Sequence, residues 1–151
     1  MRDVRLITGP PCSGKSHLVD QHRRPGDWVV DHDQAAQLLG SSRTHNHGDA
    51  WRARAEAYVQ QQLHQVASLV DTQGHTVWVV RTVPEGHERD ALARWLGTAA
   101  VVLLPPESLL LARAGARPAP AATRHAIRAW ASRYTPHPND LVITSSDDYA
   151  P

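Results

Sequence analysis

Eight consecutive residues, Gly9-Pro10-Pro11-Cys12-Ser13-Gly14-Lys15-Ser16, combine two glycines, a lysine and a hydroxyl in the spacing G-x-x-x-x-G-K-[ST]. A stretch of this kind curls its backbone N–H groups inward as an anion nest, so the chemistry it implies is phosphate binding. The amides of residues 10–16 are placed to cradle α- and β-phosphates, and Lys15 to reach the β- and γ-phosphates. The Ser16 hydroxyl is the expected ligand for Mg²⁺, and His17, at the helix opening, is counted with the nucleotide-binding residues. Of the 16 basic side chains, 15 are arginine and Lys15 is the one lysine. A compact ammonium suits a narrow loop round a phosphate better than a planar guanidinium does.

Phosphoryl transfer also needs a group that orients or deprotonates the attacking oxygen, and positive charge over the moving phosphoryl. Asp31 and Asp33 can divide metal-water contact and base catalysis between them; the plainer alternative is that Asp31 caps the helix that follows. Arg113 and Arg117, four apart in a stretch punctuated by Gly and Pro, can form a lid that closes on the γ-phosphate, or can lie on a solvated face. The ten histidines, His45 and His47 among them, read better as loop and surface residues than as a zinc site, because no H-E-x-x-H pattern or second cysteine accompanies them. Cys12 occupies a variable position of the motif. It is either a small filler or a thiol acidified by Lys15 and a helix N-terminus.

Alternating strands and helices are needed to position these groups. Val4-Arg5-Leu6-Ile7-Thr8 reads as a buried strand leading into the loop, and a helix should run from about Ser16 to Gln21 or a little further, stopping by Pro25-Gly26. A second strand, Trp28-Val29-Val30-Asp31, carries the carboxylates to its carboxyl end, where open α/β sheets keep their ligand chemistry. A short helix at residues 34–39 and a polar loop at 41–48 come next. A long amphipathic helix then opens at Asp49 as its cap, with Trp51, Ala55, Tyr58, Val59, Leu63, Val66 and Val70 on its apolar face. Further strands are expected at residues 76–81, 99–104 and 141–144. Further helices are expected at 85–96, from Pro105-Pro106 to about 114, and at 123–134, the last with Ile127, Trp130, Ala131 and Tyr134 on one face. The pattern predicts an α/β fold with a five-stranded parallel sheet flanked by helices, in a single domain over residues 1–151.

The chain has 151 residues, 41% of them hydrophobic and 21% charged, and a formal charge of +1. That length suits one core, and the near-neutral balance requires any basic binding surface to be local. No apolar run approaches the ~18 residues of a membrane span. With a single cysteine and no signal-peptide shape at the N-terminus, the expectation is a cytoplasmic protein with no membrane partner.

The phosphate loop, the aspartate after a strand, the lid arginines and the C-terminal helix together resemble the kinase domain of phage polynucleotide 5′-kinase. That domain lies within the adenylate- and shikimate-kinase-like group of P-loop kinases. The resemblance implies a P-loop NTPase fold, ATP (or GTP) and Mg²⁺ as cofactors, Asp33 as general base, and Arg117 as the lid arginine with Arg113 four earlier. Two positions depart from the pattern: Ala36 stands where that family has an arginine, and Arg81 where it has an aspartate after the third strand. Both lie on the substrate side, so kinase activity carries over better than a polynucleotide substrate does. The leading expectation is transfer of the γ-phosphate to a hydroxyl of a nucleic acid, nucleotide or nucleoside. Arg43, Arg52, Arg54 and Arg81 with Trp51 are the candidate acceptor surface. The alternatives are a small-molecule kinase acting on a metabolite or drug, and a nucleotide-gated binding module with weak ATPase activity.

Overall fold

The structure is a computed structural model that describes residues 1–41 and 48–151. Its centre is β1 (Val4–Thr8), which lies between β3 (Val77–Arg81) and β4 (Ala100–Leu103), with β2 (Trp28–Val30) and β5 (Leu141–Ile143) at the edges. Every pairing is parallel, giving the order β2-β3-β1-β4-β5. All five loops that leave carboxyl ends therefore open on one edge of the sheet, and the crevice beside β1 falls where successive connections run to opposite sides.

The period-two alternation of the strands assigns each side chain to a face. Val4 and Leu6 of β1, with Val77 and Val79 of β3, pack against α2 (His32–Leu38), α3 (Asp49–Ser68) and α4 (Gly86–Leu96). Ile7, Trp78 and Val80 face the opposite way, onto Leu18 and Val19 of α1 (Lys15–His22) and Tyr149 beyond a 3₁₀ turn at Ser146–Asp148. A third cluster joins Cys12 to Leu110 and Ala114 of α5 (Glu107–Ala114) and Ile127 of α6 (Pro120–Arg133). Thr8 is buried at the end of β1 because its hydroxyl donates to the Val101 carbonyl at 3.1 Å.

Several expected boundaries move, each for a local reason. The second helix starts at His32 rather than 34, since Asp31 caps it by accepting from the Asp33 N–H. Asp49 is not the cap of α3: Gly48 holds that position at φ 86, and Asp49 is the first helical residue, paired with Arg52 one turn on. Val70 does not belong to the apolar face of α3, because the helix ends at Ser68 and Val70 is 91% exposed. On α6, Ala131 is exposed and Thr123 is buried with Ile127 and Trp130. That helix begins three residues before the expected start, with Pro120 in its first turn, where a missing N–H costs nothing. No helix among the described residues is long and apolar enough to cross a membrane.

Candidate functional site

The phosphate loop leaves β1 through Gly9, whose φ of +149 only glycine adopts readily; a Cβ there would lie 2.4 Å from the Leu103 carbonyl oxygen. Cys12 at φ 65 and Gly14 at φ 96 turn the chain back into α1. Gly14 is the N-cap residue and no side chain caps the helix, so its first-turn N–H groups are left for the loop interior. Lys15 folds over this concavity, donating to the carbonyls of Gly9 at 2.9 Å and Pro10 at 2.7 Å. Burial pushes its ammonium down to about 8, opposed by the charges of Asp31 and Asp33. The loop fits a phosphate-bearing nucleotide: backbone donors, helix terminus and one ammonium converge on a hollow that any side chain at Gly9 would distort.

Asp31 follows β2 directly and is 8% exposed. Its two oxygens serve different neighbours. Oδ1 takes the Asp33 N–H at 3.3 Å, as a helix cap, and Oδ2 takes the Ser16 hydroxyl at 3.4 Å. The capping alternative is thus realised, and it leaves the second oxygen facing the loop. Burial, then the charge of Asp33, raises the Asp31 carboxyl above the usual range. Asp33 sits in the first turn of α2 and is half-buried. Among the described residues no group of three or more His, Cys, Asp or Glu side chains is gathered to hold a metal ion. A cation here would rely on Ser16, Asp31 and phosphate oxygens, the usual oxygen set for Mg²⁺ in phosphate sites. His45 and His47 lie outside the described residues.

A cleft of about 430 Å³ is lined by residues 11–17, Asp31, Asp33, Arg81 and Arg117 together, so residues from four parts of the chain meet at the carboxyl edge of the sheet. Gly9 and Pro10 lie behind it, as acceptors for Lys15. A second hollow of about 340 Å³ lies on the other side of the loop, between Arg113, Arg117, Pro105 and Thr144 with the two serines after it. The lid stretch is only the short turn between α5 and α6. Arg113 Nη1, in the last turn of α5, donates to the Cys12 carbonyl at 2.9 Å, pinning the end of that helix to the phosphate loop. Cys12 is buried against Leu110 and Ala114 of α5 and Ile127 of α6, as the small-filler alternative describes.

The described arginines expected at the acceptor surface are each engaged by a neighbouring side chain, Arg81 while also lining the cleft. Arg52 pairs with Asp49 at 2.8 Å, Arg54 stacks 5.6 Å over the ring of Trp51, and Arg81 grips Glu56 with two bonds of 3.2 and 2.7 Å. Arg43 lies outside the described residues. Trp51 is half-buried and packs beside Gly40 at the end of α2. Sequence reasoning missed Glu56, which sits on the partly polar flank of α3 and is tied to Arg81 only by the fold. It also missed Thr144 and the serines that follow, a polar run after the last strand whose position at a strand end was the available signal.

Residues 4–137 match the AAA domain family, and the chain belongs to it. No curated protein matches the sequence. Among solved structures, the chain is similar to the tunicamycin resistance protein of Deinococcus radiodurans (15% identity, TM-score 0.56, 95% of this chain and 86% of that one). It is also similar to a gluconokinase from Sinorhizobium meliloti (17% identity, TM-score 0.55, 95% and 82%). A third likeness is to the shikimate kinase of Acinetobacter baumannii, solved with shikimate (15% identity, TM-score 0.51, 96% and 84%). At these identities the likeness is one of fold, and that fold is the single α/β domain with a five-stranded parallel sheet.

Proposed function

We propose that this AAA-domain chain is an ATP- and Mg²⁺-dependent kinase that moves the γ-phosphate onto a hydroxyl of a small molecule. The observation that carries the reading is the single cleft in which the Lys15 loop, Asp31, Asp33 and Arg117 converge. Residues 9–16 and His17 would hold the nucleotide phosphates, and Ser16 with Asp31 would hold Mg²⁺, which when bound would supply charge neutralisation. The hollow bounded by Arg113, Arg117 and Thr144 takes the base and ribose. Asp33 receives the proton of the acceptor hydroxyl as its oxygen bonds to the γ-phosphorus. The bond from that phosphorus to the β,γ-bridging oxygen breaks, and ADP departs with the electron pair. Arg117, and Arg113 beside it, place positive charge where it accumulates on the moving phosphoryl.

Kinases of small hydroxylated compounds, including a gluconokinase and a shikimate kinase, stand among the structures that share the fold. A nucleic-acid acceptor would call on phosphate-binding cations along the cleft. Arg52 and Arg81 are neutralised by Asp49 and Glu56, which favours a small acceptor, nucleosides included, over a polynucleotide. The test is a γ-labelled ATP transfer screen over nucleosides, polyols, 5′-hydroxyl oligonucleotides and hydroxymethylated DNA. Label on small hydroxyl compounds, with little on the oligonucleotides, is the expected result; label confined to DNA would restore the polynucleotide reading.

A further inference from the structure

Thr123 departs from a pattern that the other buried threonines keep. The hydroxyls of Thr8, Thr72 and Thr76 donate to the Val101 carbonyl at 3.1 Å, the Met1 carbonyl at 3.1 Å and Asp3 Oδ2 at 2.9 Å. Thr123 is buried to the same degree, at 8% exposed, yet its hydroxyl makes no hydrogen bond to any of the described residues. The Ala119 carbonyl, which a helical threonine hydroxyl commonly takes, receives the Thr123 backbone N–H at 2.9 Å instead. A buried hydroxyl is ordinarily partnered. This one belongs to a residue that lines the cleft together with Asp33, Val80, Thr82 and Ala126, so what enters the cleft is what meets it.

The helix that carries Thr123 is fixed in place. Trp130 Nε1 donates to the Thr82 carbonyl at 2.8 Å, which holds α6 against the carboxyl end of β3, and the Trp130 ring stacks on Tyr134 with centroids 5.0 Å apart. Thr123, seven residues earlier, falls on the same face of α6, about 10 Å nearer the lid turn. Among the described residues, the second hollow is lined by Arg117 but by neither Thr82 nor Thr123. With base and ribose in that hollow, Thr123 stands with Asp33 on the side where the acceptor enters. We infer that Thr123 is a further acceptor-binding residue, its hydroxyl pairing with a second hydroxyl of the acceptor while Asp33 serves the one that is phosphorylated. The inference rests on the kinase reading above and narrows its substrate class to compounds with at least two alcohol groups, polyols or nucleosides, rather than monohydroxy alcohols. A threonine hydroxyl carries one donor and two acceptor lone pairs, so it can give or take this bond. A site built to pair a substrate hydroxyl rejects an analogue that lacks it, because the site's own polar group is then left unpaired.

The experiment measures ADP release from Mg·ATP with three acceptors: sorbitol and uridine, which carry several alcohol groups, and propan-1-ol, which carries one. The wild-type chain should favour sorbitol or uridine over propan-1-ol by about tenfold or more in kcat/KM. Thr123→Val keeps the shape of the side chain and removes the hydroxyl. It should lower kcat/KM for the favoured polyhydroxy acceptor about tenfold, as loss of one hydrogen bond with its partner left unpaired would. The value for propan-1-ol and the ATP affinity in calorimetry should not move. Thr123→Ser should restore most of the loss, and Thr123→Ala, which should reproduce it, provides the answer if Thr123→Val fails to fold. A merely structural threonine would depress all three acceptors alike. An equal loss for all three, a value for sorbitol and uridine unmoved by either truncation, or a fall in ATP affinity as large as that in kcat/KM overturns the inference and leaves the kinase reading standing. ADP release that no acceptor in the panel stimulates overturns it too, whereas absence of any ADP release overturns the kinase reading itself.

Discussion

In the proposed kinase site the phosphate side of the cleft is built from consecutive residues, and the acceptor side from residues scattered over a third of the chain. In residues 9–16 the backbone supplies the donors, Lys15 is satisfied by the loop's own carbonyls, and one glycine is fixed by its approach to Leu103. The acceptor side draws on Asp31 and Asp33 after β2, Glu56 on α3 and Arg81 after β3, held by side-chain pairs between elements. A contiguous motif makes its geometry locally and tolerates change elsewhere. An assembled wall depends on contacts between elements distant in the chain, as the Arg81–Glu56 pair illustrates.

That contrast predicts where substitutions act. The largest effect belongs to the phosphate side, where a single ammonium carries the charge. Lys15→Ala should lower turnover by about 10³-fold or more and weaken ATP binding in calorimetry, because loss of a preorganised charge falls on both states; the circular dichroism spectrum should not change. Across the cleft, Asp33→Asn should lower turnover roughly 10²-fold with ATP affinity intact, the usual size of a general-base effect. If Asp31→Asn gave that result and Asp33→Asn did not, the metal and base roles would be exchanged. Arg117→Ala should lower kcat about tenfold and ATP binding less, since a lid arginine acts most where charge builds; equal losses would move Arg117 to the ground-state phosphate contacts.

A pH titration separates the two sides further. Lys15 in the free loop is lowered from 10.5 to about 8, so it is charged below that pH and loses its proton above it. Bound phosphate favours the charged form, so ATP affinity should be full below about pH 8 and fall as pH rises through it, by up to about tenfold per unit. Calorimetry in buffers of different ionisation heat should detect proton uptake on binding above pH 8 and none well below it. The smallest effect is expected at the outer arginines. Arg52→Ala should change kcat/KM by less than about twofold, as for exposed ion pairs in general, and acceptor affinity should depend weakly on salt. A log–log slope of several units would instead mark a phosphate-rich acceptor.

The contrast also explains what could be read from the sequence. The loop, its lysine and the five strands were legible because short-range spacing determines them, and the apolar runs of β1, β3 and β4 are buried as those runs imply. The start of α2 was misplaced because Asp31 caps it from a position that also reads as strand end. The end of α3 was misplaced because Val70 keeps the apolar period past the turn where the backbone straightens at Leu69. Least legible were the partners of the acceptor arginines. Glu56 and Arg81 are 25 residues apart, and nothing in their local sequence links them. The same holds for Arg89, which is fully buried and yet satisfied by Asp140 and three backbone carbonyls brought together only by folding.

The central claim, phosphoryl transfer rather than nucleotide-gated binding, is tested most directly by stoichiometry. With Mg·[γ-³²P]ATP and the best acceptor from the screen, labelled product and ADP should form one for one, and both should vanish in Lys15→Ala. ADP accompanied only by free labelled phosphate, at a rate no acceptor changes, would contradict the account and leave a slow ATPase in its place.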